Sequence, residues 1–268
     1  MIPINKSEVI MNQTLDVIMK RRSTRAYSHS PITDDEKDTI LEATLRAPTA
    51  GNMMLYSIVE VDSQNLKNTL AETCDHQSFI AKAPWVLLYL ADFQRQYDYF
   101  DYCEVSRLCQ ERGIPYRMPE TADLMLACCD ALIAAQTTVL AAESLGIGSC
   151  YIGDIMENYE VHRDLLHLPR YVFPIALLCL GRPVRELSDK GRSSRFDREF
   201  IVYKDSYTRL SGGDFKRMYG PLETPADAPR QYYQGADNIG QAMYLRKTSS
   251  DFSLEMVRSV KVMLDNWK

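Results

Sequence analysis

The sequence predicts an α+β fold, in which a mixed, mostly antiparallel sheet is flanked by helices. Two continuous apolar runs, Pro84–Asp92 and Tyr171–Gly181, are typical of strands that are buried on both faces. A third apolar run predicts a long buried helix, which Thr121 caps and Gly146 ends. Strands and helices follow one another without the strict alternation of a doubly wound sheet, so an α+β arrangement is favoured.

Shorter elements are predicted from capping residues and hydrophobic periodicity. Asn12 or Thr14 caps a first helix, and Thr33 forms a capping box with Glu36 at the start of a second helix. That second helix ends at Pro48. The remaining predictions are a strand at Leu55–Asp62, a helix from Ser63 to about Thr73, a polar and aromatic excursion or lid over 94–119, a short strand or loop at Gly148–Ile155, and a terminal helix near Phe252–Trp267.

Composition and charge exclude several classes of protein. The 268 residues carry a net charge of −5, whereas a nucleic-acid-binding protein usually has a basic excess. The longest apolar run is interrupted by Asp130, Gln136 and Glu143, which favours a buried helix over a membrane span. The seven cysteines form no C-x-x-C pair, and the first residues lack the apolar segment of a signal peptide. We therefore expect a cytoplasmic protein that contains neither disulfides nor a metal site and binds neither nucleic acid nor membrane.

Two basic clusters stand out on this acidic background. One ends the first helix in the stretch "RRSTRAY", and the other follows a buried strand in "GRPVRELSDKGRSSR". Each cluster alone fits a solvated helix end or loop. Together, arginine side chains and a serine hydroxyl also suit a phosphate monoester. The pattern leaves both interpretations open.

Familiar catalytic motifs are missing from the sequence. It contains no phosphate loop of the Walker type, no G-x-G-x-x-G, no H-E-x-x-H and no G-x-S-x-G. The four histidines have no acid–base partner at a fixed spacing. If the protein is an enzyme, its chemistry is expected to reside on a cofactor.

Five segments in order resemble one enzyme family. "RRSTRAY", "APTAGN", "CDHQSFIAKAP", "LAAESLGIGSCYIGDI" and "LCLGRPV" with "DKGR" are similar to segments of FMN-dependent nitroreductases, in the branch of NADPH-preferring oxygen-insensitive nitroreductases and flavin reductases. The resemblance extends from about Thr14 to Tyr207. It implies one domain over 1–268, with a core at about 12–207 and a C-terminal extension at 208–268. It also implies an intertwined homodimer with FMN bound between the subunits.

The resemblance assigns cofactor contacts to the first basic cluster. Arg21 and Ser23 would hold the FMN phosphate, with Arg22 in the same element. Arg25 would reach the pyrimidine edge near N1 and the C2 carbonyl. A fixed cation there stabilises the negative charge that two-electron reduction leaves around N1. No side chain is expected to act as a catalytic acid or base.

Further cofactor contacts are implied in four other places. Small residues let backbone approach a planar ring, and an amide side chain can bond a uracil-like edge. The implied contacts are Thr49, Gly51 and Asn52 along the flavin, Gln77 at the pyrimidine, Tyr151, Ile152, Gly153 and Asp154 with their backbone facing the ring near N5, and Lys190 and Arg192 at the phosphate.

The implied function is an NAD(P)H-dependent FMN oxidoreductase that works by a ping-pong mechanism. NADPH or NADH would reduce the flavin, and a small-molecule acceptor such as a nitroaromatic, a quinone or free flavin would reoxidise it. Two alternatives remain open at this stage. The first is a protein that stores or senses flavin without turnover, and the second is an FMN enzyme with one dedicated substrate.

Overall fold

The structure, a computed structural model, describes residues 12–184, 194–223 and 232–267. Its contacts group the chain into two compact units, one comprising residues up to 188 together with those from 256 onward, the other comprising 189–255. The first unit contains an antiparallel sheet in the order β1-β2-β4-β3. Its strands are β1 (Tyr56–Glu60), β2 (Trp85–Asp92), β3 (Gly148–Ile152) and β4 (Val172–Gly181).

Helices cover most of the remaining described chain, so the α+β prediction is confirmed. Those in the first part of the chain are α1 (Gln13–Lys20), α2 (Asp34–Thr44), α3 (Gln64–Thr73), α4 (Gln94–Tyr102), α5 (Val105–Arg112), α6 (Thr121–Ser144) and α7 (Tyr159–Leu165). They are followed by α8 (Gly212–Tyr219), α9 (Ile239–Met243) and α10 (Asp251–Trp267).

The central strands and the long helix form the core, as their sequences predict. Every residue of β2 is buried, and β4 is buried except at Ile175. Helix α6 packs against this sheet and against α2 through a face of small residues. Small side chains allow close approach of helix and sheet, and the face consists of Ala127, Ala131, Ala134, Ala135 and Ala142, all with no exposed surface.

Buried hydroxyl groups connect α2, α6 and the sheet. Thr138 of α6 bonds both Tyr89 of β2 and Thr44 of α2, and all three residues are inaccessible to solvent.

Helix α6 is long and apolar enough to cross a membrane, yet 44% of its most apolar window is buried inside the protein. Its composition is therefore accounted for by its place in the core.

The predicted starts of α1 and α2 are confirmed, whereas two other predicted helix ends need correction. Helix α2 ends at Thr44 and not at Pro48, because the position before a proline disfavours helical geometry and the helix stops ahead of it. The Asn12 side chain accepts a hydrogen bond from the amide of Leu15 at 2.9 Å, and Thr33 forms the predicted capping box with Glu36. Thr121 was predicted to cap α6, and this is wrong. Glu120 is the capping residue, because its backbone N–H donates to the Asp123 carboxylate at 2.8 Å and its backbone carbonyl accepts the Asp123 N–H at 3.0 Å.

The predicted excursion over 94–119 contains two helices, α4 and α5. Tyr97 of α4 packs edge-on against Tyr171 at 5.1 Å between ring centroids, and Tyr171 packs in the same way against Trp267 of α10. At the other end, Arg117 forms an ion pair with the largely buried Asp123. The segment is thus anchored at both ends, and its role as a lid stays a prediction.

The second unit has its own aromatic contacts. Phe196 packs edge-on against Tyr219 of α8, and the guanidinium of Arg217 lies 5.5 Å from the ring centroid of Phe200. The prediction of one domain with a core at about 12–207 and an extension at 208–268 stays a prediction.

A buried histidine connects α7 to α3. His162 has no exposed surface, and its ring nitrogens lie 3.0 Å from the Ile155 carbonyl and 2.8 Å from the Thr73 hydroxyl. A neutral ring can donate Nδ1–H to the carbonyl and accept from the hydroxyl at Nε2. Burial lowers the pKa of His162 from its usual value, against the opposing effect of its backbone hydrogen bonds.

We predict that the protein loses stability in mild acid because of His162. The unfolded chain binds a proton near pH 6.5 while the folded chain resists it, so the free energy of unfolding falls as pH drops below that value. The limiting slope is about 1.4 kcal/mol per pH unit for one proton. Thermal unfolding of wild type and His162→Gln between pH 7.5 and 5 checks this. The variant is expected to be less stable at pH 7.5 but to have a flatter profile.

An exposed histidine, His29, provides the matched control. His29→Gln is expected to keep the wild-type pH profile. Parallel profiles for wild type and His162→Gln would contradict the assignment of the acid sensitivity to His162.

Candidate functional site

The first basic cluster lies as an extended segment across β3 and β4. Ser23 forms a parallel bridge with Ser149 of β3, and the amide of Thr24 donates to the Ser149 carbonyl at 2.8 Å. Four residues on, the amide of Ser28 donates to the carbonyl of Arg182 at 2.8 Å. The cluster is therefore fixed by main-chain bonds at both ends, unlike the freely solvated helix end that its charge alone allows.

A pair of glycines makes room for this segment. Gly148 and Gly181 face each other in the β3–β4 register. A Cβ atom on Gly148 would lie 2.3 Å from Thr24 Oγ1, and one on Gly181 would lie 2.4 Å from Tyr27 Cδ1. Since real Cβ contacts are never this short, only glycine at both positions lets Thr24 and Tyr27 rest on the strands.

Arg21 has a buried donor that suits an anion. Its Nε has no hydrogen-bond partner among the described residues, although the atom is inaccessible to solvent. Buried donors without an acceptor are rare, so this atom fits the oxygen of a bound phosphate. Ser23, two residues on, is exposed and can add its hydroxyl. The chain thus provides a donor set for a phosphate group here.

A carboxyl group lies beside Arg21. Glu143 of α6 accepts a hydrogen bond from Ser149 Oγ at 3.1 Å. Burial raises the pKa of Glu143, while the Ser149 hydrogen bonds and the charge of Arg21 lower it. Arg21 is therefore placed at the C-terminal end of α6, next to the start of β3.

Arg25 and Gln77 lie near the C-terminal end of β3. The Arg25 guanidinium lies 5.7 Å from the ring centroid of Phe79. The amide nitrogen of Gln77 donates to the Asp154 carboxylate at 2.8 Å and to the Cys74 carbonyl at 3.0 Å. Three separately predicted site elements, at 25, 77 and 151–154, are thus brought together.

Within 151–154, Ile152 is buried, Gly153 is exposed, and Tyr151 and Asp154 are half-buried. Ile152 is 1% exposed and belongs to the core. Tyr151 directs its hydroxyl to Gln136 of α6 at 3.4 Å, and burial raises its pKa to about 12. The prediction that this segment offers its main chain to a ring is compatible with these orientations.

The loop of Thr49, Gly51 and Asn52 is held by a buried carboxylate. Asp130 of α6 is 2% exposed, and its two oxygens accept the amides of Ala50 at 2.9 Å and Leu55 at 3.1 Å. Gly51 and Asn52 have φ values of 57° and 56°, in the left-handed region that glycine and asparagine tolerate best. Asp130 thus fixes the path of a strained turn.

This loop and the basic segment are associated with different parts of α6. The loop is bonded to Asp130, whereas Arg21 lies beside Glu143, thirteen residues further along α6. At roughly 1.5 Å per helical residue, these points are about 20 Å apart. The predicted contacts therefore form two groups within a single chain.

The other predicted basic residues have separate outcomes. Arg22 is half-buried in the same extended segment. Lys190 and Arg192 lie outside the described residues. Arg182, which is not among the predicted cofactor contacts, pairs with Glu36 of α2 and donates to the Leu145 carbonyl at 3.1 Å.

Sequence reasoning missed the residues that position the site. Asp130 was noticed only as an interruption of an apolar run. An acidic residue amid buried alanines was nevertheless a signal of a specific acceptor role. The Gly148–Gly181 pair gave no such signal, because its two members meet only through strand register. Within the described residues no group of side chains is arranged to hold a metal ion.

Comparison with known proteins identifies the fold family. The family model described as "Nitroreductase family" matches residues 18–182, which include the basic segment, the Asp130 loop and β1 to β4. The chain belongs to the nitroreductase family.

Nitroreductase-family relatives match most of the chain. It is 29% identical over 230 residues to a Bacillus subtilis protein named FMN reductase (NADPH), which covers 85% of this chain and 86% of the relative. A second B. subtilis protein, FMN reductase [NAD(P)H], is 30% identical over 200 residues and covers 74% of this chain and 75% of the relative. The solved NADPH:FMN oxidoreductase of Vibrio harveyi, complexed with NAD+, has the same fold at a TM-score of 0.74 and 23% identity, covering 94% and 98% of the two chains.

We predict that Gly148→Ala displaces the basic segment. The added methyl overlaps Thr24, and overpacking of this kind costs about 1–3 kcal/mol of unfolding free energy. Thermal and urea unfolding measure the loss. The double variant Gly148→Ala/Thr24→Gly removes the overlapping side chain and is expected to recover part of it. Gly212→Ala, where a Cβ meets nothing within 4 Å, is the control and should unfold like wild type. Equal stability of both alanine variants would contradict the role of Gly148.

Proposed function

We infer that the protein is an NAD(P)H-dependent FMN oxidoreductase. The observation that carries this inference is the seating of the basic segment along β3, with Arg21 at one end of the strand and Arg25, Gln77 and Asp154 at the other. The relatives' names support the same activity. FMN supplies the atom that accepts a hydride from a nicotinamide and the ring that passes two electrons to an acceptor.

The chain's own residues bind and tune this cofactor. Arg21 and Ser23 hold the phosphate, and the otherwise unpaired Arg21 Nε gains an acceptor there. Arg25 provides a positive charge at the pyrimidine edge, where reduction leaves negative charge. The backbone of 151–154 lines the ring, and Gln77 bonds the pyrimidine. Lys190 and Arg192 are proposed to add to the phosphate site.

The reaction partners are small molecules that use one site in turn. NADPH or NADH reduces the enzyme and leaves before a small-molecule acceptor enters, which is a ping-pong scheme. The proposed location is the cytoplasm. No protein acid or base is needed for the hydride step, because the proton that follows can come from solvent.

We also propose that the enzyme is a homodimer whose sites combine two chains. Asp130, which holds the loop at 49–52, and Glu143, whose pKa the charge of Arg21 lowers, are about 20 Å apart along α6. A second copy of the chain would therefore supply the loop to the basic segment. Helix α6 also carries exposed apolar side chains suited to a partner surface, as does α1. They are Met125, Leu126, Leu132 and Ile133 on α6, and Ile18 and Met19 on α1.

The visible spectrum of the purified protein tests the function. A yellow protein that NADPH or NADH bleaches under anaerobic conditions is the expected result. Yellow protein that neither nucleotide bleaches would favour flavin storage or sensing. A reduced enzyme that one compound reoxidises far faster than nitroaromatics or quinones would favour a dedicated substrate. Protein that takes up no FMN would refute the proposal.

We predict that Arg25→Ala slows flavin reduction by NADPH about tenfold or more without loss of stability. Arg25 is exposed, so its removal costs little folding energy, while the charge around N1 loses its partner. Anaerobic stopped-flow reduction, with flavin content measured in parallel, checks the effect. Arg112→Ala, at an exposed position on α5, is the control. Unchanged reduction kinetics in Arg25→Ala would remove Arg25 from this role.

We predict that two inactive variants complement each other when mixed. Arg21→Ala damages the phosphate side, and Asn52→Pro damages the loop side. A mixed dimer then contains one site built from an intact Arg21 and an intact loop. After unfolding and refolding the two variants together, about a quarter of wild-type activity is expected from random pairing. Sedimentation gives the oligomeric state. A dimer with no recovered activity would show that each site belongs to one chain.

A further inference from the structure

The side-chain amide of Gln77 has both of its donor hydrogens occupied. Nε2 lies 2.8 Å from Asp154 Oδ2 and 3.0 Å from the Cys74 carbonyl oxygen. The two acceptors come from different elements, since Cys74 ends α3 and Asp154 begins the turn after β3. Gln77 is therefore held from two sides.

The chemistry of these acceptors decides which way the amide points. A carboxylate and a backbone carbonyl only accept hydrogen bonds. If the amide were turned over, its oxygen would face both, and the two NH hydrogens would lose their partners. With Nε2 committed in this way, the remaining capacity of the Gln77 side chain is that of Oε1, an acceptor.

We propose that Asp154 is a positioning residue that restricts Gln77 to accepting a hydrogen bond from the N3–H of the flavin pyrimidine. The inference rests on the proposed function, because it takes the pyrimidine edge to lie at Gln77. An unrestrained glutamine can both donate to a pyrimidine carbonyl and accept from N3–H. In this chain Asp154 takes up the donor, so recognition depends on the imide N–H.

Asp154 also brings negative charge to the same edge. The Gln77 amide has no donor left for the pyrimidine carbonyls, and the Asp154 carboxylate is hydrogen-bonded directly to that amide. Both effects oppose the negative charge that reduction places on the ring, and Arg25 acts in the opposite direction. Asp154 therefore lowers the reduction potential of the bound flavin.

The test compares FMN with 3-methyl-FMN, in which a methyl group replaces the N3 hydrogen. Dissociation constants are measured by flavin fluorescence on the full-length protein, and midpoint potentials by anaerobic dye equilibration. Asp154→Ala removes both the acceptor and the charge. Asp154→Asn keeps an oxygen that can accept from Gln77 but removes the charge. Asp38→Asn, on an exposed face of α2, removes a charge elsewhere and is the matched control.

The two Asp154 variants are expected to separate the two effects. Wild type should bind 3-methyl-FMN about tenfold or more weakly than FMN, as expected for the loss of one hydrogen bond to the half-buried Gln77. Asp154→Asn should keep this ratio within about twofold, whereas Asp154→Ala should reduce it at least about threefold because a Gln77 donor becomes available. Both variants should have a more positive midpoint potential than wild type. Asp38→Asn should match wild type in both measurements.

Two results would overturn the inference while the proposed function stands. One is wild-type protein that binds FMN and 3-methyl-FMN equally. The other is an Asp154→Ala protein with the wild-type ratio and potential but a lowered melting temperature, which is the outcome of a purely structural role. Wild-type protein that binds no FMN would overturn the proposed function itself and this inference with it.

Discussion

The candidate site depends on two glycines whose lack of a side chain allows the basic segment to pack on the sheet. Gly148 and Gly181 are paired across β3 and β4, and because they have no Cβ atoms, Thr24 and Tyr27 can pack directly against these strands. Main-chain bonds to Ser149 and Arg182 then fix the segment in register with the strands. Because the strands beneath are largely buried, the arginine side chains of this segment extend from fixed main-chain positions. Charge placement in the site is thus a consequence of strand packing.

Side chains from outside the sheet also contribute to the candidate site near β3. Arg25 rests over Phe79, and Gln77 reaches Asp154, so the loop after α3 and the turn after β3 hold each other in place. Each contact joins parts of the chain more than fifty residues apart. Polar contacts of this kind add little net stability but are costly to leave half-made, which favours a single geometry.

The sequence was sufficient for the elements whose signals are local. Asn12 and Thr33 cap helices through neighbours three residues away. Strand β4, and β2 up to its last residue Asp92, are apolar because both of their faces are covered. The predicted start of α6 is wrong because threonine is a favoured capping residue and glutamate is not, whereas in the structure Glu120 is the cap and its N–H is bonded by Asp123. Asp130 and the glycine pair act through tertiary contacts, and the hydrophobic periodicity of the sequence cannot predict such contacts. The family resemblance predicts both Gln77 and Asp154 as cofactor contacts, but only the structure shows the hydrogen bond between them.

Helix α6 connects the two groups of contacts as a spacer of fixed length. Asp130 holds one group and Glu143 adjoins the other, with uninterrupted helix between them. Substitutions in this stretch change what the helix touches, but a single insertion or deletion changes geometry everywhere beyond it. One residue more or less shifts the two ends by about 1.5 Å and turns them by roughly 100° relative to each other. The interval from 130 to 143 is therefore one in which chain length itself is under constraint, and related chains of the same architecture should vary there in composition but not in number of residues.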